Sequence, residues 1–203
     1  MKGKGGAMAA AIDHLVVSCQ DLERGCADLE QVLGVALEPG GRHAAFGTHN
    51  RLLSLGPDAY LEVIAVDPDA PAPDRVRWFD LDRFSGAVRL THWAVRVPDI
   101  AAAWPDGAVL ELERGAYRWA MAVAEDGVLP FDDVHPALLE WRGPHPAAAL
   151  PDRGVRLAEV VLQAPDPTRL AGLPGSGDPR VRATRGLPRV SARLTGPGGE
   201  VWL

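Results

Sequence analysis

The sequence lacks any apolar run long enough to cross a bilayer. Its longest, such as Tyr60 to Val66, is strand-sized and broken by Glu62, where a spanning helix needs about 20 apolar residues, so no membrane association is expected. Cysteine is almost missing: Cys19 and Cys26 are the only two, and neither their number nor their spacing suggests a disulfide framework, which favours a reducing, cytoplasmic compartment. Both read as buried small hydrophobes, not nucleophiles. The opening MKGKGGAMAAAI has no apolar core of the kind a secretory leader carries, so residues 1–10 are expected to form a flexible tail. Basic side chains neither cluster nor interleave with aromatics. With 21 basic against 27 acidic residues and a formal net charge of -6, nucleic acid is not an expected partner. There is no glycine-rich phosphate loop and no Ser-His-Asp or Cys-His signature, so neither phosphate cradling nor hydrolase chemistry is indicated.

What the chain does have is enough apolar content, 47%, to bury a substantial core, and an internal repeat. IDHLVVSCQDL (Ile12 to Leu22) aligns without a gap on LTHWAVRVPDI (Leu90 to Ile100) at an offset of 90 - 12 = 78 residues. The offset superposes His14 on His92, Asp21 on Asp99, and Tyr60-Leu61-Glu62 on Leu138-Leu139-Glu140. Each copy thus holds a His and a Glu 48 residues apart (62 - 14 and 140 - 92). A partial third copy starts at Val155, with Glu159 in the His position.

Periodicity gives the first unit the order β, α, β, β, β. A β-branched strand over Ile12 to Cys19 precedes a helix capped by Asp21 and stopped by Gly34, with Leu22, Cys26, Leu29 and Leu33 as its apolar stripe. Strands follow near 36–46, 51–55 and 59–66. The second unit repeats the order with a shortened helix. The expected organisation is α+β: paired βαβββ modules at 11–68 and 88–143 within a domain spanning 11–150, forming a cupped mixed sheet, and a partial third module at 151–203 that extends or braces it. An open sheet edge makes a homodimer a further expectation.

Alternation along strands raises the question of why an ionisable group sits within YLEVIAV. An isolated buried carboxylate costs several kcal/mol, so it must be exposed, paired or metal-bound. If the units pair their sheets, His14, Glu62, His92 and Glu140 can surround one point and supply two imidazoles and two carboxylates. That donor set suits a divalent ion such as Zn, Ni, Mn, Fe or Co, with positions left open for substrate. The plainer reading of Glu140 is a salt bridge to Arg142 or Arg118. Polar residues around a glycine-punctuated hairpin, Arg42, His43, Thr48, His49 and Asn50, are candidate small-molecule contacts, with Trp119 as an aromatic one.

These units, IDHLVVSCQDLERGCADLEQVLG and LTHWAVRVPDI with YLEVIAV and ALLEWRG, resemble the paired modules of the vicinal oxygen chelate superfamily, the glyoxalase/bleomycin-resistance type. More narrowly, GGRHAAFGTHNRLLSLGPDAYLEVIAVDP, THWAVRVPD and VLPFDDVHPALLEWRGPHPA resemble glyoxalase-like domain proteins of bacteria. The resemblance implies ligands at His14, Glu62, His92 and Glu140, with Glu140 or Glu62 also shuttling a proton. It implies a metal-dependent lyase or isomerase acting on a small 2-oxo, 2-hydroxy or thioester metabolite through an enolate-like intermediate. Two alternatives stand beside it: a metal-free small-molecule binding or drug-sequestering protein on the same fold, and an Fe(II) extradiol-type dioxygenase using two His and one carboxylate.

Overall fold

The computed structural model describes residues 10–203, so the expected N-terminal tail lies, but for Ala10, outside the described residues. The first unit comprises β1 (Ala11–Ser18), α1 (Leu22–Leu33), β2 (Glu38–His43), β3 (Thr48–Ser54) and β4 (Tyr60–Val66). Its helix is bounded as its sequence dictates. The Asp21 carboxylate accepts the Arg24 N–H at 2.8 Å, satisfying one free donor of the first turn. Gly34 adopts a left-handed φ of 71° at the end, where its N–H closes on the Glu30 carbonyl. The stripe Leu22, Cys26, Leu29 and Leu33 is buried.

The second unit comprises β5 (Arg89–Arg96), α2 (Ile100–Ala103), β6 (Ala108–Arg114), β7 (Tyr117–Val123) and β8 (Ala137–Trp141). Here the helix is a single turn because Pro105 bars Trp104 from helical backbone, and Trp104 sits at φ -136°, ψ 65°.

The eight strands of the two units build one sheet in the order β2-β3-β4-β1-β5-β8-β7-β6. Within each unit the first and last strands are parallel, and the units meet along an antiparallel β1–β5 seam. The order therefore reads outward from the seam in the same way on both sides. One face carries Leu15, Val17, Leu61, Val63, Trp93 and Val95 into the main apolar core beneath α1. The other face carries Val16, Ile64, Ala94, Met121 and Leu139, covered by Phe46, Trp78, Phe79 and Leu81 from the connecting loops.

The C-terminal segment forms β9 (Arg156–Ala164), β10 (Val181–Arg185), β11 (Arg189–Gly196) and β12 (Gly199–Trp202). These make a separate sheet, β10-β9-β11-β12, whose Val160, Leu162, Val190 and Leu194 join the main core. It braces the large sheet without extending it. Strand β10, VRATR, was not legible as a strand because most of it is polar. Glu159 stays outside the cavity described below: Arg182 donates to it at 2.8 Å, and Arg193 lies 3.5 Å away. No helix among the described residues is long and apolar enough to cross a membrane.

Candidate functional site

The covered face of the sheet holds a cavity lined by both units, with about 430 Å³ of empty space including its open mouth. Parallel pairing sets His14 beside Tyr60 and Val16 beside Glu62, and antiparallel pairing sets Leu52 beside Glu62. Because side chains two apart share a face, His14, Tyr60, Glu62, Asn50 and Leu52 all reach the cavity.

A local irregularity adds a residue that strict alternation would send the other way. Between Ile12 and His14 the β1–β5 register shifts, a bulge that lets successive residues point to the same side. Asp13 and His14 consequently meet: the His14 Nδ1–H donates to Asp13 Oδ1 at 2.7 Å. The other carboxylate oxygen of Asp13 accepts the Trp141 indole N–H at 2.8 Å and His145 Nε2–H at 2.9 Å. This carboxylate is fully buried, which alone would raise its pKa, but the hydrogen bonds from His14 and His145 hold it well below the usual range.

On its far side His14 presents Nε2 to Glu62 Oε2 at 3.4 Å, short of hydrogen-bond geometry. The imidazole also stacks on Tyr60, ring centroids 4.6 Å apart. Burial works against charge on His14, yet Asp13 and Glu62 outweigh it and lift the imidazole to about 9. Burial likewise opposes ionisation of Glu62, but His14 and the Asn50 amide, which donates to Oε1, bring it down to about 2. The result is a buried carboxylate, imidazolium, carboxylate chain ending at the cavity.

A second polar group closes the other end. His43 donates Nδ1–H to Thr48 Oγ1 at 3.1 Å and accepts from Arg114 Nη1 at 2.9 Å. Burial, against the pull of Glu62, drops His43 to about 4, so it is neutral at physiological pH. Aromatic walls come from Trp78, Phe79, Tyr117, Trp119 and Trp141.

The expected four-ligand set is not brought together. His14 and Glu62 meet; His92 and Glu140 do not join them. His92 shares the face but opens to a different cavity, where Nε2 lies 3.2 Å from Asp133 Oδ1. Phe79, which lines both cavities, stands against the His92 ring at 5.3 Å. Glu140 lies on the opposite face of β8 from Leu139 and Trp141. It accepts the Ile100 N–H at the start of α2 at 2.9 Å and pairs with Arg142.

The physical reason is register. The repeat offset would set Glu140 beside Ala94 as Glu62 sits beside Val16, but Ala94 pairs with Ala137, 140 - 137 = 3 residues earlier. An odd slip turns every side chain to the other face. Among the described residues no three His, Cys, Asp or Glu side chains gather closely enough to hold a metal ion. The residues present therefore do not fit the four-donor centre, and His92 does not join His14 and Glu62 in the two-His, one-carboxylate triad of the dioxygenase alternative.

Of the other candidates, His43, Asn50 and Trp119 line the cavity, and Thr48 supports His43 from behind. Arg42 instead pairs with Asp67 and Asp69 on the exterior, and His49 alternates away between Thr48 and Asn50. Sequence reasoning missed Asp13, Tyr60, Arg114 and His145. Only the charge at Asp13, inside an otherwise apolar strand, was a signal.

The sequence model of a family described as glyoxalase-like domain matches residues 12–173. A hypothetical protein from Staphylococcus aureus superposes with a TM-score of 0.60 at 12% identity, over 92% of this chain and 91% of that one. The methylmalonyl-CoA epimerase of Mycobacterium tuberculosis gives 0.46 at 17% identity, over 73% of this chain and 97% of that one. A single-residue variant of the Streptomyces coelicolor methylmalonyl-CoA epimerase, in complex with 2-nitronate-propionyl-CoA, gives 0.45 at 18%, over 67% and 100%. No curated protein sequence matches.

Proposed function

Since this chain belongs to the glyoxalase-like domain family of the vicinal oxygen chelate superfamily, we propose that its cavity moves a proton at the carbon next to a carbonyl in a small oxygen-rich metabolite, as an isomerase or lyase. The observation that supports this reading is the buried Asp13–His14–Glu62 chain, whose inner imidazole is oriented from behind and whose outer carboxylate faces the cavity. Perturbed ionisable groups in an aromatic-walled cleft are the usual mark of acid-base chemistry.

Each group has a distinct task. Glu62 accepts the carbon-bound proton as the C–H bond breaks, and the electron pair passes into the carbonyl to leave an enolate oxygen. Low basicity would ordinarily disfavour this, but Glu62 is weak only while it neutralises His14. As it takes the proton, the imidazolium turns its Nε2–H toward the new oxyanion, so one negative charge faces His14 throughout. Asp13 holds the Nδ1–H of the ring and keeps the imidazole charged. Return of the proton to the same or the neighbouring carbon gives isomerisation; loss of a leaving group from the enolate gives elimination. No step here passes through a metal ion.

The test is hydrogen exchange in D2O, followed by proton NMR, over a panel of 2-oxo acids, 2-hydroxy acids and thioesters. Wild type should exchange the α-hydrogen of at least one compound, and Glu62→Gln should slow it by about 100-fold or more. Exchange by Glu62→Gln at the wild-type rate would sink the reading. Metal analysis of protein purified without chelator accompanies it: one equivalent of a divalent ion, lost in His14→Ala, would bring the metal-dependent reading back.

The density of aromatic rings around the cavity favours a second reading, a protein that binds and sequesters a flat molecule; ligand binding without exchange would support it. Cys19 and Cys26 are buried and unbridged, which supports a reducing, cytoplasmic compartment. A homodimer would pair at the β6 edge in preference to β2, which the β-bulge between Pro39 and Arg42 disrupts.

A further inference from the structure

Proton transfer leaves one charged group at the cavity without a task. Arg114, the last residue of β6, reaches from the second unit to the first. Its Nη1 donates to His43 Nε2 at 2.9 Å and to the Asn50 side-chain oxygen at 3.2 Å. Gly41 leaves room for this pose: a Cβ there would stand 2.7 Å from Arg114 Cδ.

Both acceptors are uncharged. Arg42, Arg77, Arg142 and Arg153 each pair with a carboxylate, whereas among the described residues no carboxylate forms an ion pair with Arg114. Glu62, the nearest candidate by chain connection, is joined to it through the Asn50 amide and already faces the His14 cation. A guanidinium has five N–H donors in a planar fork matched to a carboxylate, and here only Nη1 is engaged, on a residue that lines the cavity.

We propose that Arg114 is the anion-binding residue of this cavity, which makes its ligand a small organic acid. Its carboxylate seats on the guanidinium and its flat body lies among Trp78, Trp119 and Trp141. This deepens the reading of the cavity as a ligand site but does not depend on proton transfer. A monoanion is tolerated because the negative charges of Asp13 and Glu62 bracket the His14 imidazolium, so no unpaired carboxylate faces the incoming acid. Arginine is the fitting residue because a bidentate fork fixes orientation as well as charge.

The experiment compares acids with their isosteric amides, pyruvate with pyruvamide and benzoate with benzamide, by calorimetry and by quenching of the cavity tryptophans. Wild type should bind at least one acid ten times or more tightly than its amide. Arg114→Gln should erase the preference, and Arg114→Lys should keep part of it, since the charge remains and the fork is lost. Circular dichroism shows that each variant is folded, and the wild-type comparison stands without any variant. If no acid in the series binds more tightly than its amide, or if Arg114→Gln keeps the full preference, the assignment is overturned. Acid binding without α-hydrogen exchange would sink the reaction proposed above and leave the anion site standing.

Discussion

Asp13 and Trp141 are 128 residues apart in sequence, and the indole N–H of the second donates at 2.8 Å to the carboxylate of the first. The contact ties the last strand of the second unit to the first strand of the first, directly behind His14. Replacing Trp141 with Phe removes the donor while keeping most of the ring. Asp13 retains His14 and His145, so the expected loss is about 1 to 3 kcal/mol, the cost of an unmet buried polar group. Urea unfolding of Trp141→Phe against wild type measures it, and a midpoint equal to wild type would show that the indole hydrogen bond carries no stability.

The charged chain through His14 makes stability depend on pH with a definite sign. His14 rises from 6.5 to about 9 on folding, so its contribution is complete below pH 6.5 and lost as pH climbs through 9. Glu62 falls from 4.5 to about 2, so its contribution is complete above pH 4.5 and lost as pH drops through 2. Between those limits both contribute in full, but buried neutral His43, lowered from 6.5 to about 4, makes stability fall as pH drops below 6.5, so the maximum lies near pH 6.5. Going from pH 6.5 to beyond 9 should cost roughly 3 kcal/mol, the order expected of such a shift in a buried group. Denaturant unfolding at stepped pH checks the fall, and a His14 ring signal titrating near 9 by NMR checks its source. A flat profile between pH 6 and 10 would contradict the assignment.

Glu62 and Glu140 occupy matching places in the repeat, yet their substitutions should behave differently. Glu62→Gln acts in the cavity and should abolish exchange, as well as leaving His14 without its outer partner. Glu140→Gln is expected to leave exchange within about twofold of wild type and to cost about 1 kcal/mol or less, since its main partner is the half-exposed Arg142. Equal loss of exchange in both variants would mean that β8 presents Glu140 to the cavity after all.

That contrast shows how far the sequence could be read. Two copies with one offset, a cap at Asp21, and alternating apolar strands were enough for the βαβββ order and the mixed sheet, because these are local or period-two signals. His14, Glu62, His43 and Asn50 were legible as chemistry for the same reason: each is a polar residue where the pattern asks for an apolar one, or sits in a polar hairpin beside it. Glu140 failed because a three-residue slip in strand pairing leaves no trace in the residues themselves. His92 failed because Phe79 arrives from a loop between the units. Arg114 depends on a contact across 64 residues and has no local signature; Asp13 shows only as a charge in an apolar strand, and its approach to His14 depends on a bulge.

Asn50 joins the two ends of the cavity. Its amide donates to Glu62 while its oxygen accepts from the Gly41 N–H at 2.8 Å and from Arg114. Asn50→Leu preserves approximate volume and strands three groups, two of them charged. The expected loss is about 2 to 4 kcal/mol, since unmet buried donors and acceptors cost about 1 to 3 kcal/mol and charged ones more. Asn50→Asp is the sharper probe. It keeps the acceptor for Gly41 and adds charge toward Arg114, but sets a second carboxylate against Glu62, so one of the two must hold a proton near neutral pH. Thermal unfolding at pH 5 and pH 8 should therefore show Asn50→Asp closer to wild type at the lower pH, where that proton binds readily. If its deficit is the same at both, Asn50 and Glu62 are not in contact.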